Sequence, residues 1–270
     1  MDLLASVLRR PVATDDKYSR GVVGFVTGST EFPGAAILGV TAAIRTGVGM
    51  VRWLGPEAVG RMLIEVRPEV VLQNGRVQCW VVGSGVSGDV HGEQFSNVAK
   101  ALAEPGFAVI DAGALELANF EDLKCQAILT PHAGELERLL LRFAEPRSRP
   151  EIEADPVTAS KLASNLTGQV VLLKGNVTTI ADPEGNTWQS PPATPALATA
   201  GSGDVLAGII GALVAVNFGK LASREITLAK VALAGAMLHA KAGAMAAQDG
   251  PVAALDIAEA IRSVVGEYLA

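Results

Sequence analysis

The stretch Ala200-Gly201-Ser202-Gly203-Asp204-Val205-Leu206-Ala207-Gly208 sets small residues directly ahead of an apolar helix expected over 202–216. A helix start leaves its first backbone N–H groups without intrahelical acceptors, so roughly three or four donors are expected to point outward here. With the positive end of the helix dipole they make a phosphate site, and glycines let a phosphate come close. Asp204 falls in the first turn beside that phosphate. A carboxylate there can take the proton from a hydroxyl attacking a terminal phosphoryl group. Taken alone, such a stretch is more often a capped helix start, with Ser202 or Asp204 as the cap, and the surrounding pattern has to decide. The turn comes after Pro191, Pro192 and Pro195 and opens a helical C-terminal third, with helices expected at 202–216, 223–246 and 253–268.

Upstream the rhythm is different. Short β-rich runs at 22–27, 50–54, 80–83, 107–111, 127–129 and 170–173 alternate with Ala- and Leu-rich segments at 34–46, 90–104, 133–143 and 156–167. That alternation is the pattern of parallel strands joined by crossover helices, hence an α/β fold with a mostly parallel sheet. Runs at 176–182 and 186–190 around Pro183-Glu184-Gly185 read as a small antiparallel hairpin added to it, and 145–150 reads as a surface loop.

Ligands of open α/β sheets bind at the carboxyl ends of the strands, so the residues just after each run are the candidates for a site. Lys174-Gly175-Asn176-Val177-Thr178 comes after the strand at 170–173; Lys174 there is either a point charge for a nucleotide phosphate or a solvated lysine of a hairpin connection. Leu129-Thr130-Pro131-His132-Ala133-Gly134-Glu135 places His132 just before a helix, as a ligand contact or, more commonly, a cap. His91 and His239 have no comparable setting. Gly28-Ser29 and Pro33-Gly34-Ala35-Ala36 form another small-residue turn, open to a ligand or to tight helix packing. Gly83-Ser84-Gly85-Val86-Ser87-Gly88 fits G-x-G-x-x-G, with Asp111 ending the next strand, but the spacing is loose and the motif lies well inside the chain. Walker A, HExxH, GxSxG and metal-spaced His or Cys patterns are missing from the sequence.

Composition narrows the classes further. The 270 residues are 49% hydrophobic and 19% charged, enough for one large domain over 1–270 with a substantial core. A formal charge of −6 with no basic stripe argues against nucleic acid as a partner, while a small polyanion can still be held by backbone amides and one or two lysines. Cys79 and Cys125 are expected as buried thiols in a reducing cytosol. The longest apolar stretch, 205–218, is shorter than the roughly 20 residues of a membrane span, and no export signal opens the chain, so a cytoplasmic protein without a membrane partner is expected.

Taken in order, residues 21–29 with Pro33-Gly34-Ala35-Ala36, Val82-Gly83-Ser84-Gly85, Asp111-Ala112, the TPHxGE stretch ending at Glu135, Leu173-Lys174-Gly175 and the segment 198–208 resemble the successive signatures of the ADP/ATP-dependent NAD(P)H-hydrate dehydratases, a branch of the ribokinase-like superfamily. The resemblance covers roughly residues 20–265. It implies a three-layer α/β/α fold, ADP or ATP with Mg²⁺, and as substrate the S form of hydrated NADH or NADPH, which carries a hydroxyl at C6 of the nicotinamide ring. Hydroxide leaves poorly whereas a phosphate ester leaves readily, so transient phosphorylation and then elimination restore the dihydronicotinamide.

Carried over by motif, Asp204 is the base, and the amides of Gly201, Ser202, Gly203 and Asp204 hold the transferring phosphate. Ala35, Gly85, His132 and Asp204 touch the hydrated dinucleotide; Lys174, Gly175, Asn176, Val177, Thr178 and Gly203 touch the adenine nucleotide. No residue is assigned as a metal ligand. The resemblance also implies a homotetramer and, with only about 20 residues before the first motif, a dehydratase without the epimerase domain many relatives carry. Two departures stand out. Thr194-Pro195-Ala196-Leu197-Ala198-Thr199-Ala200-Gly201 replaces an asparagine and two glycines of the family's N-P-G-M-A-T-G-G, which removes a polar contact, and the Ala200 methyl is expected to narrow the phosphate turn. Rival readings are a ribokinase-like kinase of a vitamin precursor such as a hydroxymethylpyrimidine, and a nucleotide-binding sensor that has lost turnover.

Overall fold

The structure, a computed structural model, describes residues 2–86, 92–248 and 250–270. In chain order its elements are α1 (Leu3–Val7), β1 (Val22–Val26), α2 (Pro33–Thr46), β2 (Met50–Trp53), α3 (Glu57–Val66), β3 (Cys79–Val82), α4 (Glu93–Leu102), β4 (Gly106–Ile110), α5 (Gly113–Leu117), β5 (Cys125–Leu129), α6 (Ala133–Arg142), α7 (Arg149–Ala154), α8 (Pro156–Thr167), β6 (Val170–Leu173), β7 (Thr179–Ala181), β8 (Thr187–Gln189), α9 (Ser202–Val216), α10 (Phe218–Ala222), α11 (Leu228–Ala246) and α12 (Ala254–Leu269).

Among the described residues the strands form one sheet in the order β2-β1-β3-β4-β5-β6-β7-β8. β1 to β6 run parallel, and β7 and β8 add the antiparallel hairpin. The strands read as continuous apolar runs because both faces are covered, as buried parallel sheets require. Successive side chains go to opposite layers: Val23, Phe25, Cys79, Val81, Phe107 and Val109 pack with α2, α9, α11 and α12, whereas Val26, Trp80, Val82, Ala108 and Ile110 pack with α4, α6 and α8. This is the expected three-layer α/β/α fold.

Helix α9 runs under the sheet against α2. A Cβ on Gly208 would strike the backbone of Gly39, so glycine permits the close approach that fixes where the N-terminus of α9 emerges. On the outer side, Glu259 of α12 is bridged to Arg45 of α2 and to Arg67 just after α3, which ties the three segments together.

Several boundaries differ from expectation. The helix expected at 223–246 begins at Leu228, because Thr227 caps it by accepting from the Lys230 amide, and the short α10 precedes it. The hairpin strand expected from 176 begins only at Thr179, since Ala193 N–H bonds Asn176 O and Ser190 Oγ accepts from Thr178 N–H, pulling 176–178 towards the later loop. The segment 145–150 is a loop only to Ser148, which opens α7 in a capping box with Glu151. Helices α3, α5 and α7 carried no sequence expectation. Of the motif at 83–88, residues 87 and 88 lie outside the described residues, as does His91, and the helix expected from 90 is described from Glu93.

Candidate active site

The parallel strands bring four sequence-separated stretches to one sheet edge. At the start of α9, Gly201 takes φ +87°, a left-handed conformation suited to glycine, and a Cβ there would also strike Leu38. Ser202 N–H donates to Thr199 O at 3.3 Å and Val205 N–H to Gly201 O at 3.2 Å. Among the described residues the first-turn amides of Gly203 and Asp204 have no acceptor. The turn therefore presents these as free first-turn donors beside the Gly201 amide, which also has no acceptor among the described residues, whereas the Ser202 N–H is engaged by Thr199 O.

Asp204 sits in the first turn of α9 with no hydrogen-bond partner for its carboxylate among the described residues. Burial, then the charge of Asp111, raises its pKa to about 7; Glu135 adds to the rise and Lys174 opposes it. A carboxyl poised near neutrality can accept a proton at physiological pH and is matched to a general base.

Asp111, at the end of β4, is the buried hub of the site. Its Oδ2 accepts from Ser84 Oγ at 2.8 Å, and its Oδ1 accepts from Thr130 Oγ1 at 2.8 Å and from Lys174 Nζ at 2.8 Å. Lys174 Nζ also lies 3.5 Å from Glu135 Oε2. Burial alone would depress the Lys174 pKa, but Asp111 and Glu135 more than offset that and hold it above its ordinary value. The lysine is thus a fixed cation tied to two carboxylates, not the solvated residue of a hairpin connection. A Cβ on Gly203 would stand 3.5 Å from its Nζ, so the ammonium and the free amides of α9 face one small space.

His132 caps α6. Its Nδ1 accepts from the amides of Gly134 and Glu135 at 3.0 and 3.2 Å, and Glu135 Oε2 accepts from His132 N–H at 2.7 Å. Burial lowers its pKa despite Glu135, and because Nδ1 accepts the two amides the ring's proton sits on Nε2, which faces Glu135 Oε1 at 3.5 Å and is half-exposed towards a ligand. Lys174 N–H donates to Pro131 O at 2.8 Å, which holds the TPH and KG stretches side by side.

These groups line a cavity of about 760 Å³ that includes Asp111, His132, Glu135, Lys174, Gly175, Asn176, Thr178, Gly201, Ser202, Gly203 and Asp204. That volume lies within the range of small-ligand sites. Val177 lines an adjoining cavity of about 650 Å³ shared with His132, Arg149 and Lys174. Ala35 and Gly85 are brought together elsewhere on the same edge: a Cβ on Gly85 would stand 2.6 Å from that of Ala35, at the β1/β3 switch point where strand order reverses, outside the lining of the larger cavity. Thr194 Oγ1 accepts from Ala196 N–H and lines the cavity, whereas Ala200 is exposed and outside the lining, so the expected narrowing by its methyl is not found.

Among the lining residues that sequence reasoning passed over are His239 and Arg149. His239, dismissed for its setting, is buried on α11 with Nε2 3.1 Å from Ser202 Oγ; a lone histidine among the Ala, Leu and Gly of an apolar helix was the available signal. Arg149 opens α7 at the cavity mouth, in a segment read as loop.

Comparison with known proteins accords with this geometry. The sequence profile of the NAD(P)H-hydrate dehydratases matches residues 23–263. The chain belongs to that family. The bifunctional NAD(P)H-hydrate repair enzyme of Corynebacterium glutamicum is 36% identical over 93% of this chain and 48% of its own length. The ADP-dependent (S)-NAD(P)H-hydrate dehydratase of Neisseria meningitidis is 31% identical over 87% of this chain and 80% of its own. The chain thus spans about half the length of the bifunctional relatives it matches. The crystal structure of the ADP/ATP-dependent NAD(P)H-hydrate dehydratase of Bacillus subtilis, co-crystallised with ATP/Mg²⁺, superposes with a TM-score of 0.84 at 24% identity, covering 98% of this chain and 96% of that one. At that identity the likeness establishes the dehydratases' ribokinase-like fold for this chain.

Proposed function

We propose that this chain is an ADP- or ATP-dependent dehydratase of the S form of hydrated NADH and NADPH, a repair lyase, acting as a single domain over residues 1–270. The observation that carries the proposal is the unpaired Asp204 carboxyl, with a pKa of about 7, beside the free amides of Gly203 and Asp204 and the Lys174 ammonium. In this reading Lys174, Gly175, Asn176, Val177, Thr178 and Gly203 hold the adenine nucleotide. Ala35, Gly85, His132 and Asp204 hold the hydrated dinucleotide, which reaches the β1/β3 switch point.

The C6 hydroxyl attacks the terminal phosphorus while Asp204 takes its proton, and the bond from that phosphorus to the nucleotide breaks, releasing AMP from ADP or ADP from ATP. The ring nitrogen's lone pair then expels phosphate from C6, C5 gives up a proton, and the dihydronicotinamide is restored. Among the described residues no group of three His, Cys, Asp or Glu is placed to hold an ion by itself. Glu135, which lines the cavity, and the nucleotide's phosphates would nevertheless supply hard oxygen donors that fit Mg²⁺, which takes one or two carboxylates and keeps several waters. When bound, the ion would neutralise phosphate charge.

The reading includes a homotetramer, for which the exposed Met62, Ile64, Val66 and Leu72 supply apolar surface. It also includes a cytoplasmic setting, in keeping with two free, buried cysteines. No helix of the described residues is long and apolar enough to cross a membrane.

The test is direct. Hydrated NADH incubated with the protein, Mg²⁺ and either ADP or ATP should regain the absorbance of NADH with release of one phosphate per molecule repaired. A stable phosphorylated product from a vitamin precursor, with no NADH regained, would transfer the site to a kinase; nucleotide binding without turnover would make it a sensor.

His132→Asn separates the two duties of that residue, since asparagine also caps helices but lacks the Nε2–H. Its melting temperature should stay near wild type and ADP affinity should not change, while KM for the hydrate rises about tenfold, the scale of one lost hydrogen bond. An unchanged KM would leave His132 as a cap alone.

A further inference from the structure

His239 has no task in the reaction above, yet it is buried on α11, lines the main cavity and has its polar contacts on Ser202, with Nε2 3.1 Å from Oγ and the ring also in hydrogen-bonding reach of the serine's backbone. Its surroundings explain why it stays neutral: burial pushes its pKa down to about 4, so near pH 7 the ring carries a single N–H. The contact then has two forms. With the proton on Nδ1, Nε2 accepts the serine hydrogen and Ser202 turns only lone pairs towards the cavity. With the proton on Nε2, the ring donates to Oγ and the serine hydrogen is free.

The second form is the one an anion at the start of α9 selects, because phosphate oxygens accept hydrogen bonds and repel bare lone pairs. Ser202 has already given its amide to Thr199 O, so its hydroxyl is the donor it has left. A mere helix pin has no need of an imidazole. Elsewhere on the α9–α11 seam close packing suffices, as where Gly235 lies against Ile210, and a buried ring with an unneeded polar atom costs stability.

We propose that His239 is a positioning residue whose Nε2–H donates to Ser202 Oγ and turns the serine hydroxyl onto the terminal phosphate of the nucleotide, adding a side-chain donor to the free amides at the start of α9. The inference rests on the nucleotide reading of this cavity, and a binding measurement tests it without the hydrated dinucleotide.

Binding of ATP and of AMP, both with Mg²⁺, is measured by calorimetry for the wild type, Ser202→Ala, His239→Leu, His239→Gln and the Ser202→Ala/His239→Leu double variant, with melting temperatures alongside. AMP lacks the terminal phosphate. Ser202→Ala and His239→Leu should each weaken ATP about tenfold, the scale of a hydrogen bond to a charged group, and leave AMP within about twofold. The double variant should be no weaker than Ser202→Ala, since both remove the same donor. His239→Gln, whose amide N–H reaches near the Nε2 position, should recover most of the ATP affinity. In turnover, both single variants should lower kcat for the hydrate at near-constant KM.

Equal losses for ATP and AMP, additive losses in the double variant, or unchanged ATP affinity in His239→Leu would each overturn the proposal and leave His239 as packing. Variants that show the expected ATP-to-AMP pattern, with a wild type that never regains NADH, would refute the dehydratase reading alone. Repair of hydrated NADH without the pattern would refute only the role of His239.

Discussion

Asp204→Asn is expected to lower turnover of hydrated NADH by about 10² or more, the usual scale for a lost general base, while ADP affinity changes little or tightens slightly. Asparagine keeps the size and hydrogen-bonding capacity of the first turn of α9 but can accept no proton. The wild type should show turnover rising with pH through a limb near 7, where Asp204 gives up its proton, and the variant should lack that limb.

Stability should move the opposite way. The carboxyl is raised from 3.8 in the unfolded chain to about 7 in the folded one, so the folded state favours its protonated form. Stability is therefore lost as pH rises from about 3.8 to about 7, and the loss is complete above that window. Asp204→Asn removes a charge that the fold resists burying. Its melting temperature should exceed that of the wild type at pH 8 by about 2–4 °C for each ~1 kcal/mol recovered, and the difference should vanish near pH 4. A variant that repairs at near wild-type rate, or that melts lower than the wild type at pH 8, would return Asp204 to a helix cap.

The strands and α9 were legible because their patterns answer to one cause each. Val170–Leu173 and Cys79–Val82 are apolar throughout because the sheet is covered on both faces, and α9 begins and ends where its small-residue start and apolar run indicate. Helix α3 was not legible: only Val59, Gly60 and Leu63 are buried, and Met62, Ile64 and Val66 on its other sides are exposed, which blurs its period. Within the site, the residue types at 132, 174 and 204 could be read, but their couplings could not. The joining of Asp111 to Ser84, Thr130 and Lys174 spans separations of 27, 19 and 63 residues and exists only once β3 to β6 lie side by side. Likewise Ser202 and His239, 37 residues apart, meet only because α11 packs on α9. The loss of the Ser202 amide to Thr199 is a turn geometry that residue types alone do not specify.

Those couplings change what removing Lys174 should do. Were it a free cation, Lys174→Ala would cost only phosphate affinity; as a cation tied to Asp111 and Glu135, it governs three properties at once. ATP and ADP affinity should fall between about 10-fold and 10²-fold, the range for charge-assisted hydrogen bonds to phosphate, with a smaller rise in KM for the hydrate. The pH limb of turnover should move above 7, because Lys174 is the group that pulls the Asp204 pKa down while Asp111 and Glu135 push it up. The fold should lose about 1–3 kcal/mol, less than a fully buried pair would forfeit, since Asp111 keeps the Ser84 and Thr130 hydroxyls and the open cavity lets water reach Glu135. Calorimetry with ATP, a pH–rate profile and a melting curve on one preparation separate the three. A variant that melts lower but binds ATP as tightly as the wild type would make Lys174 a strut between the β5 and β6 loops, and the nucleotide would have to lie elsewhere on this edge of the sheet.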